Sequence, residues 1–175
     1  ENTTGNNNTA NGSYSLYATT TGSNNTALGA YANRSNKAGF NNIAIGYQTL
    51  YSDTSGYNNT AIGTQSLFSN LTGNQNTALG AYALYSNTGG NFNVANGMQS
   101  LYFNLTGIRN TAAGYTSNYF NTTGSNNVSN GFQSLYRNTT GSNNVGDGSQ
   151  SLTNNTTGSL NTAVGNAAGS LRATY

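Results

Sequence analysis

Several residue types on which protein chemistry commonly depends are missing from this 175-residue chain. It has no cysteine and no histidine, and only three acidic and five basic residues. The lack of cysteine removes disulfides as a source of stability. Without histidine, thiol or neighbouring carboxylates, the chain offers no acid–base pair and no activated nucleophile, so we expect it not to be an enzyme. We likewise expect no cofactor and no bound metal.

Charge and long apolar runs are also scarce. Charged residues make up 5% of the chain, against roughly 25% in ordinary globular proteins. The cations fall at different places within the repeat described below and form no basic stripe, so we expect no nucleic-acid partner. No stretch approaches the roughly 20 apolar residues of a membrane span, so we expect no membrane insertion.

What the chain does contain is a tandem repeat. Every seventeenth residue is glycine from Gly5 to Gly158, and the same holds in a second series from Gly12 to Gly165. These two series include 20 of the 23 glycines. A period held without insertion or deletion indicates units that stack on one another, and it argues against a disordered low-complexity chain. We interpret residues 1–175 as a single repeat domain of ten units starting near Gly5, with caps absent.

The pattern within one unit predicts strands and turns. Numbered from its first glycine as position 0, the consensus unit reads G-S-N-N-T-A-x-G-x-Q-S-L-Y-x-N-T-T. Two glycines per unit oppose a helix. We predict two short strands, N-T-A-x-G and x-Q-S-L-Y, and an N-T-T-G-S turn in which the glycine supplies a positive φ. Each unit then forms one coil of an all-β parallel β-solenoid, and ten coils about 4.8 Å apart make a rod of roughly 48 Å.

Stacked units place equivalent residues in columns along the rod. Alternation puts positions 3 and 5 on the inner side of the first strand and positions 4 and 6 on the outer side. Alanine at position 5 and leucine at position 11 are predicted to fill a thin core. Position 3 is asparagine in every unit, and stacked amides can form a hydrogen-bonded ladder. The predicted ladder consists of Asn8, Asn25, Asn42, Asn59, Asn76, Asn93, Asn110, Asn127, Asn144 and Asn161.

Two outward columns are candidate contact faces. Position 12 is mostly aromatic, and its column includes Tyr51, Phe68, Tyr85 and Tyr102. Position 6 also accepts Asn and Asp, which a buried core would not tolerate freely, so it is predicted to face outward. Its apolar members form a strip made of Leu28, Ile45, Ile62 and Leu79. Exposed apolar strips mark contacts, and we expect the chain to bind copies of itself, as a homotrimer or an end-to-end fibre.

The first half of the unit resembles the head repeats of YadA-like trimeric autotransporter adhesins. The matching stretches are "NNIAIG" (41–46), "NNTAIG" (58–63), "QNTALG" (75–80) and "LNTAVG" (160–165). The longer array is similar to repeats of bacterial surface proteins and phage tail fibres. The resemblance implies a left-handed parallel β-roll in a trimer. The adhesin unit is usually shorter than the unit of this chain, and this chain shows no anchor, stalk or neck segment.

A second resemblance is to a class of ice-binding proteins. The half-units "FNNIAIG" (40–46) and "SNNVGDG" (142–148) look like the repeats of grass ice-recrystallisation-inhibition proteins, which are small β-rolls with Thr, Ser and Val faces. Position 4 supplies a comparable column of Thr, Val and Ile. The resemblance implies that this column orders water.

These observations favour a non-enzymatic structural or adhesive fibre module, located outside the cell on a cell surface or a virion surface. Two alternatives stay open. One is an ice-binding solenoid that uses the position 4 column. The other is a receptor module that binds surface glycans by stacking sugar rings on the aromatic column, since aromatic faces are suited to such contacts.

Overall fold

The computed structural model, which describes residues 2–170, is a parallel β-solenoid. Ten three-residue strands, one per coil, pair in sequence order in a single parallel sheet. Each residue lies opposite its equivalent one coil later, as Ala44 does opposite Ala61. The predicted fold class is therefore confirmed, while residue 1 and residues 171–175 of the predicted domain lie outside the described residues. The strands are β1 (Thr9–Asn11), β2 (Thr26–Leu28), β3 (Ile43–Ile45), β4 (Thr60–Ile62), β5 (Thr77–Leu79), β6 (Val94–Asn96), β7 (Thr111–Ala113), β8 (Val128–Asn130), β9 (Val145–Asp147) and β10 (Thr162–Val164).

The interior is formed by the two columns that the sequence predicts. The position 5 alanines are buried from Ala27 onward, and the position 11 leucines are buried from Leu16 onward. The side chains of Leu50, Leu67 and Leu84 have no exposed surface. Burial of each such side chain contributes about 1.5–3 kcal/mol to folding. The inward placement of both columns is confirmed.

The second predicted strand, at positions 8–12, is wrong. Here the chain turns: the Ser66 N–H donates to the Gly63 carbonyl at 3.2 Å. Gln65 and Leu67 have φ values of 53° and 50°, which are left-handed and incompatible with a strand. Neighbouring coils nevertheless hydrogen-bond in this segment, as the Leu67 N–H does to the Ala83 carbonyl at 2.9 Å. The coil is therefore one short strand followed by a run of turns.

The two glycines of each coil are required for different reasons. At position 7 Gly80 has a φ of 129°, and a Cβ there would lie 2.7 Å from the carbonyl carbon of Gly97 in the next coil. At position 0 the glycines have no positive φ, so that part of the prediction is wrong. A Cβ on Gly73 would instead lie 2.6 Å from the carbonyl oxygen of Gly90. Close approach of neighbouring coils, as the sequence predicts, requires glycine at both positions.

The apolar core is divided near its C-terminal third. One buried cluster ends at Ala112 and a second begins at Leu135. Between and beside them, polar or smaller residues occupy the core columns: Asn118 replaces leucine, and Ser129 and Gly146 replace alanine. The outward columns, by contrast, run along the whole stack and are described next.

Candidate functional site on the outer faces

The predicted asparagine ladder is present and joins every coil to the next. The side chain of Asn59 donates from Nδ2 to the Gly73 carbonyl at 2.8 Å, and its Oδ1 accepts the backbone N–H of Asn76 at 3.0 Å. The bond between a backbone N–H and the preceding Oδ1 recurs at 3.0 Å in each step from Asn8 to Asn161. We call this column the first ladder.

A second ladder at position 14 was not recognised from the sequence. Its members each bond to the glycine three positions further along the chain, as the Oδ1 of Asn36 accepts the Gly39 N–H at 2.7 Å. From Asp53 to Asn155 they also bond along the axis, as the Nδ2 of Asn87 donates to the Oδ1 of Asn70 at 2.8 Å. The signal was available, because position 14 holds Asn or Asp in eight consecutive units. These members are Asn36, Asp53, Asn70, Asn87, Asn104, Asn121, Asn138 and Asn155.

Asp53 is the one carboxyl in the second ladder and is fully buried. Its Oδ1 accepts the Gly56 N–H and the Nδ2 of Asn70, both at 3.0 Å. Its Oδ2 has no hydrogen-bond partner among the described residues. In the asparagine coils the equivalent atom is a donor. Burial, opposed by these two hydrogen bonds, raises the pKa of Asp53 to about 7, so a protonated Oδ2 can donate in the place of an amide.

The predicted aromatic column is a continuous stack of six rings. Centroids of successive rings are 5.1 Å apart for Tyr51–Phe68 and for Phe68–Tyr85, and 5.0 Å apart for Tyr85–Tyr102. The ring planes of these pairs are nearly parallel, at 5–7°. Each inner ring therefore covers its neighbours' faces and presents only its edge to the outside. Sugar rings cannot reach the faces of these four residues unless the stack opens.

Burial raises the pKa of the Tyr102 hydroxyl above its usual value, and the nearby Tyr85, Tyr119 and Tyr82 hydroxyls raise it further. The pKa of Tyr119 is raised by burial first and then by Tyr136 and Tyr115. These two hydroxyls therefore stay neutral to a higher pH than a tyrosine in water.

Arg34 continues the aromatic column toward the N-terminus, which sequence reasoning missed. Its guanidinium carbon lies 5.6 Å from the ring centroid of Tyr17 and 5.5 Å from that of Tyr51. Both contacts are within cation–π range. Its place at position 12 was the available signal. Position 12 therefore accepts a planar cation as well as a ring.

The sheet presents positions 4 and 6 to the outside, as predicted. On position 6, Leu28, Ile45 and Leu79 are half-buried and Ile62 is 40% exposed. These four residues lie on the consecutive strands β2 to β5, so they form one continuous apolar strip along the sheet. The outward placement is confirmed, and its role in contacts stays a prediction.

The position 4 column lies beside that strip. Thr60 and Thr77 pair in register on neighbouring strands and are half-buried. The column alternates irregularly between hydroxyl and aliphatic side chains: Thr9, Thr26, Ile43, Thr60, Thr77, Val94, Thr111, Val128, Val145 and Thr162.

The fold and its ladders define a tandem-repeat β-solenoid. Within residues 2–170, no cluster of three or more His, Cys, Asp or Glu side chains is placed to hold a metal. The same residues include no helix of the length and apolarity that a membrane crossing requires. Comparisons with protein-family models, curated proteins and solved structures gave no match.

Proposed function

We propose that this chain is a non-enzymatic structural segment of an extracellular fibre, of the kind that forms the shaft of a surface filament, an adhesin or a tail fibre. One observation carries the proposal: the strand pairing and the backbone-to-amide bond of the first ladder are the same at every step. The first ladder repeats its backbone-to-amide bond at 3.0 Å from coil to coil, and the sheet keeps its register over ten strands.

This uniformity suits a mechanical role. A further unit of the same pattern, in this chain or another, can be added through the same contacts. Because each coil touches only its neighbours, length can change without redesign of a central core. The outer coat is rich in amides and hydroxyls and carries few charges, which supports passive or adhesive contact rather than steering of a charged partner.

Self-association is the testable part of this proposal. We expect negative-stain images of the purified chain to show rods, and light scattering at micromolar concentration to show a trimer or longer end-to-end fibres. A stable monomer at that concentration would contradict the predicted self-association. Round particles in the images would contradict the predicted rod shape.

A pair of matched variants separates lateral from end-to-end association. Ile62→Lys with Leu79→Lys puts two charges on the apolar strip and should dissociate a lateral trimer while leaving end-to-end fibres intact. Ser55→Lys with Thr72→Lys adds the same charge at position 16 of two units, where both native side chains are exposed, and should leave both assemblies unchanged. Equal loss of assembly in both double variants would show that net charge, not the strip, is responsible.

Ice binding is a second candidate function, favoured by the in-register outward pairing of Thr60 and Thr77. A regular column of hydroxyl and methyl groups can order water along the rod. Ice-recrystallisation inhibition should then be present in the native chain and fall in a Thr60→Tyr, Thr77→Tyr variant. No inhibition by either protein would set this candidate aside.

A further inference from the structure

The aromatic column ends in a groove that the repeat itself does not fill. Tyr136 stacks on Tyr119 with ring centroids 5.4 Å apart. In the next coil, position 12 is Thr153, whose side chain is too short to cover the other face of the Tyr136 ring. The resulting groove has a volume of about 420 Å³, within the usual range of small-molecule sites.

Polar groups surround the open ring face. The groove is lined by Gln133 and Arg137 from the coil of Tyr136, by Gln150, Thr153 and Asn154 from the next, and by Ser170. The Nδ2 of Asn154 donates to the Ser170 carbonyl at 2.8 Å, so its Oδ1 is the amide atom that remains for a ligand. The Nε2 of Gln150 donates to the Oε1 of Gln133 at 3.4 Å. That weak bond leaves further amide donors and acceptors of both side chains available to a ligand.

Arg137 gives the groove its charge. It is exposed, and it is the one charged residue among the described residues that line the groove. A guanidinium presents a planar fork of donors that matches a carboxylate. The groove therefore combines the Tyr136 ring, a mostly polar lining with side-chain amides, and one cation.

We propose that this groove binds a pyranose sugar that carries a carboxylate, such as a uronic acid residue of an acidic polysaccharide. A pyranose presents a C–H face that can stack on Tyr136, hydroxyls at its rim that can bond to the amides, and a carboxylate that can pair with Arg137. The chain itself shows that position 12 accepts a group other than a ring within the stack, since Arg34 lies between two rings at the other end of the column. The site does not depend on the mechanical role proposed above.

The test uses methyl β-D-glucuronide and the neutral methyl β-D-glucoside as probes of the full chain. Saturation-transfer NMR should show glucuronide binding at millimolar concentrations. A titration should give about three- to fivefold weaker binding of the glucoside, the size expected for one exposed ion pair. Absence of transfer to the glucuronide, or equal affinity for the two sugars, would overturn the proposal.

Two variants place the binding at this groove. Thr153→Tyr adds the aromatic ring that most coils carry at position 12, so it should cover Tyr136, keep the fold and abolish binding. Thr64→Tyr is its control, because position 8 carries tyrosine natively at Tyr47. Glucuronide binding that survives in Thr153→Tyr would show that the groove is not the site.

A second pair of variants tests the charge. Arg137→Gln should reduce the affinity for the glucuronide to that for the glucoside. Arg109→Gln, at an exposed residue that contacts Phe92, should leave both affinities unchanged. An equal effect of the two substitutions would indicate attraction by net charge and contradict the assigned carboxylate partner.

Discussion

Asparagine is the residue on which the interior of this molecule depends. Its side chain carries both a donor and an acceptor, so each amide can bond to the coil before it and the coil after it. A leucine or alanine column can fill space but cannot satisfy the glycine carbonyls that face inward at position 0. Two amide ladders therefore let a thin core contain backbone polar groups without leaving them unpaired.

Asp53 shows what happens when one amide is replaced by an acid. Its pKa of about 7 in the folded chain is raised from an ordinary value of 3.8. Well below pH 4 the carboxyl is protonated in both states and has no pH-dependent effect. As the pH rises from about 4 to about 7, the unfolded carboxyl ionises while the folded one stays neutral, so stability falls by an amount on the order of 4 kcal/mol.

The Asp53→Asn variant should remove this decline. Its gain in stability over the native chain should be small near pH 4 and largest above pH 7, as measured by urea unfolding at a series of pH values. Asp147→Asn, at an exposed carboxyl, is the matched control and should keep the decline. A native stability that does not fall between pH 4 and pH 7 would contradict a neutral buried Asp53.

Two other core asparagines are predicted to be destabilising. Asn33 and Asn118 occupy position 11, where other coils have leucine, and their side-chain amides have no hydrogen-bond partner within residues 2–170. Burial of an unpaired polar group costs about 1–3 kcal/mol. Asn118→Leu should therefore raise the free energy of unfolding by about that amount, whereas Leu67→Asn should lower it. A loss of stability in Asn118→Leu would show that this amide has a partner.

At the scale of the coil, the sequence identifies one of its two halves correctly. The N-T-A-x-G segment alternates, and the structure places its Asn and Ala inward and its Thr and variable residue outward. The x-Q-S-L-Y segment also looks like a strand, because its residues show no turn signal. Gln65 and Leu67 nevertheless adopt left-handed φ values, which are unfavourable for such residues.

These left-handed φ values are explained by hydrogen bonds between coils and not by the conformational preference of the residues themselves. The Gln65 N–H donates to the Tyr47 carbonyl at 2.9 Å, and the Leu67 N–H donates to the Ala83 carbonyl at 2.9 Å. These bonds run to the preceding and the following coil, and they offset the local cost. Propensity read from one unit cannot include them. For this reason the sequence predicted the inward leucine column but not the conformation of the backbone that carries it.

Glycine at the coil corners provides a sharp test of stacking. Gly80→Ala would place alanine at a φ of 129° and bring its Cβ to within 2.7 Å of the Gly97 carbonyl carbon. The variant should therefore unfold the neighbouring coils and markedly lower the melting temperature. Gly89→Ala is the control, since its Cβ would meet nothing closer than 3.8 Å. Loss of conformational freedom in the unfolded chain should make that variant equal or slightly more stable. Equal effects of the two changes would contradict the close approach of coils.

The first ladder can be broken at one step. Asn76→Ala removes the acceptor of the Asn93 N–H and one donor to the Gly90 carbonyl. The buried Asn93 N–H is then unpaired, at a cost of about 1–3 kcal/mol, while the Gly90 carbonyl keeps its bond from the Nδ2 of Asn87 at 3.1 Å. Asn96→Ala, at an exposed strand residue, should change stability by less than about 0.5 kcal/mol. Urea unfolding of both variants measures the difference, and equal losses would show that the ladder contributes nothing specific.

At the scale of the whole molecule, the chain is nearly one-dimensional, because all strand contacts are between consecutive coils. The fixed period of the repeat was sufficient to predict this architecture and the inner and outer columns. The period could not predict what happens where a unit carries a different residue in one of these columns. Three features depend on a departure from the consensus: the break in the core at Asn118, the buried acid at Asp53 and the groove beside Tyr136. The effect of each departure depends on neighbours one coil away.

The central claim is that like residues lie directly above one another, one strand spacing apart. Pulsed electron–electron double resonance tests this claim, with pairs of spin labels on cysteines substituted at position 4. Starting from Thr26, labels at Thr111 and Val145 are five and seven coils away, which predicts separations of about 24 and 34 Å at about 4.8 Å per coil. Narrow distance distributions whose mean increases linearly with the number of coils would support this stacking. Broad distributions, or distances that do not increase by a fixed step for every further repeat unit, would contradict it.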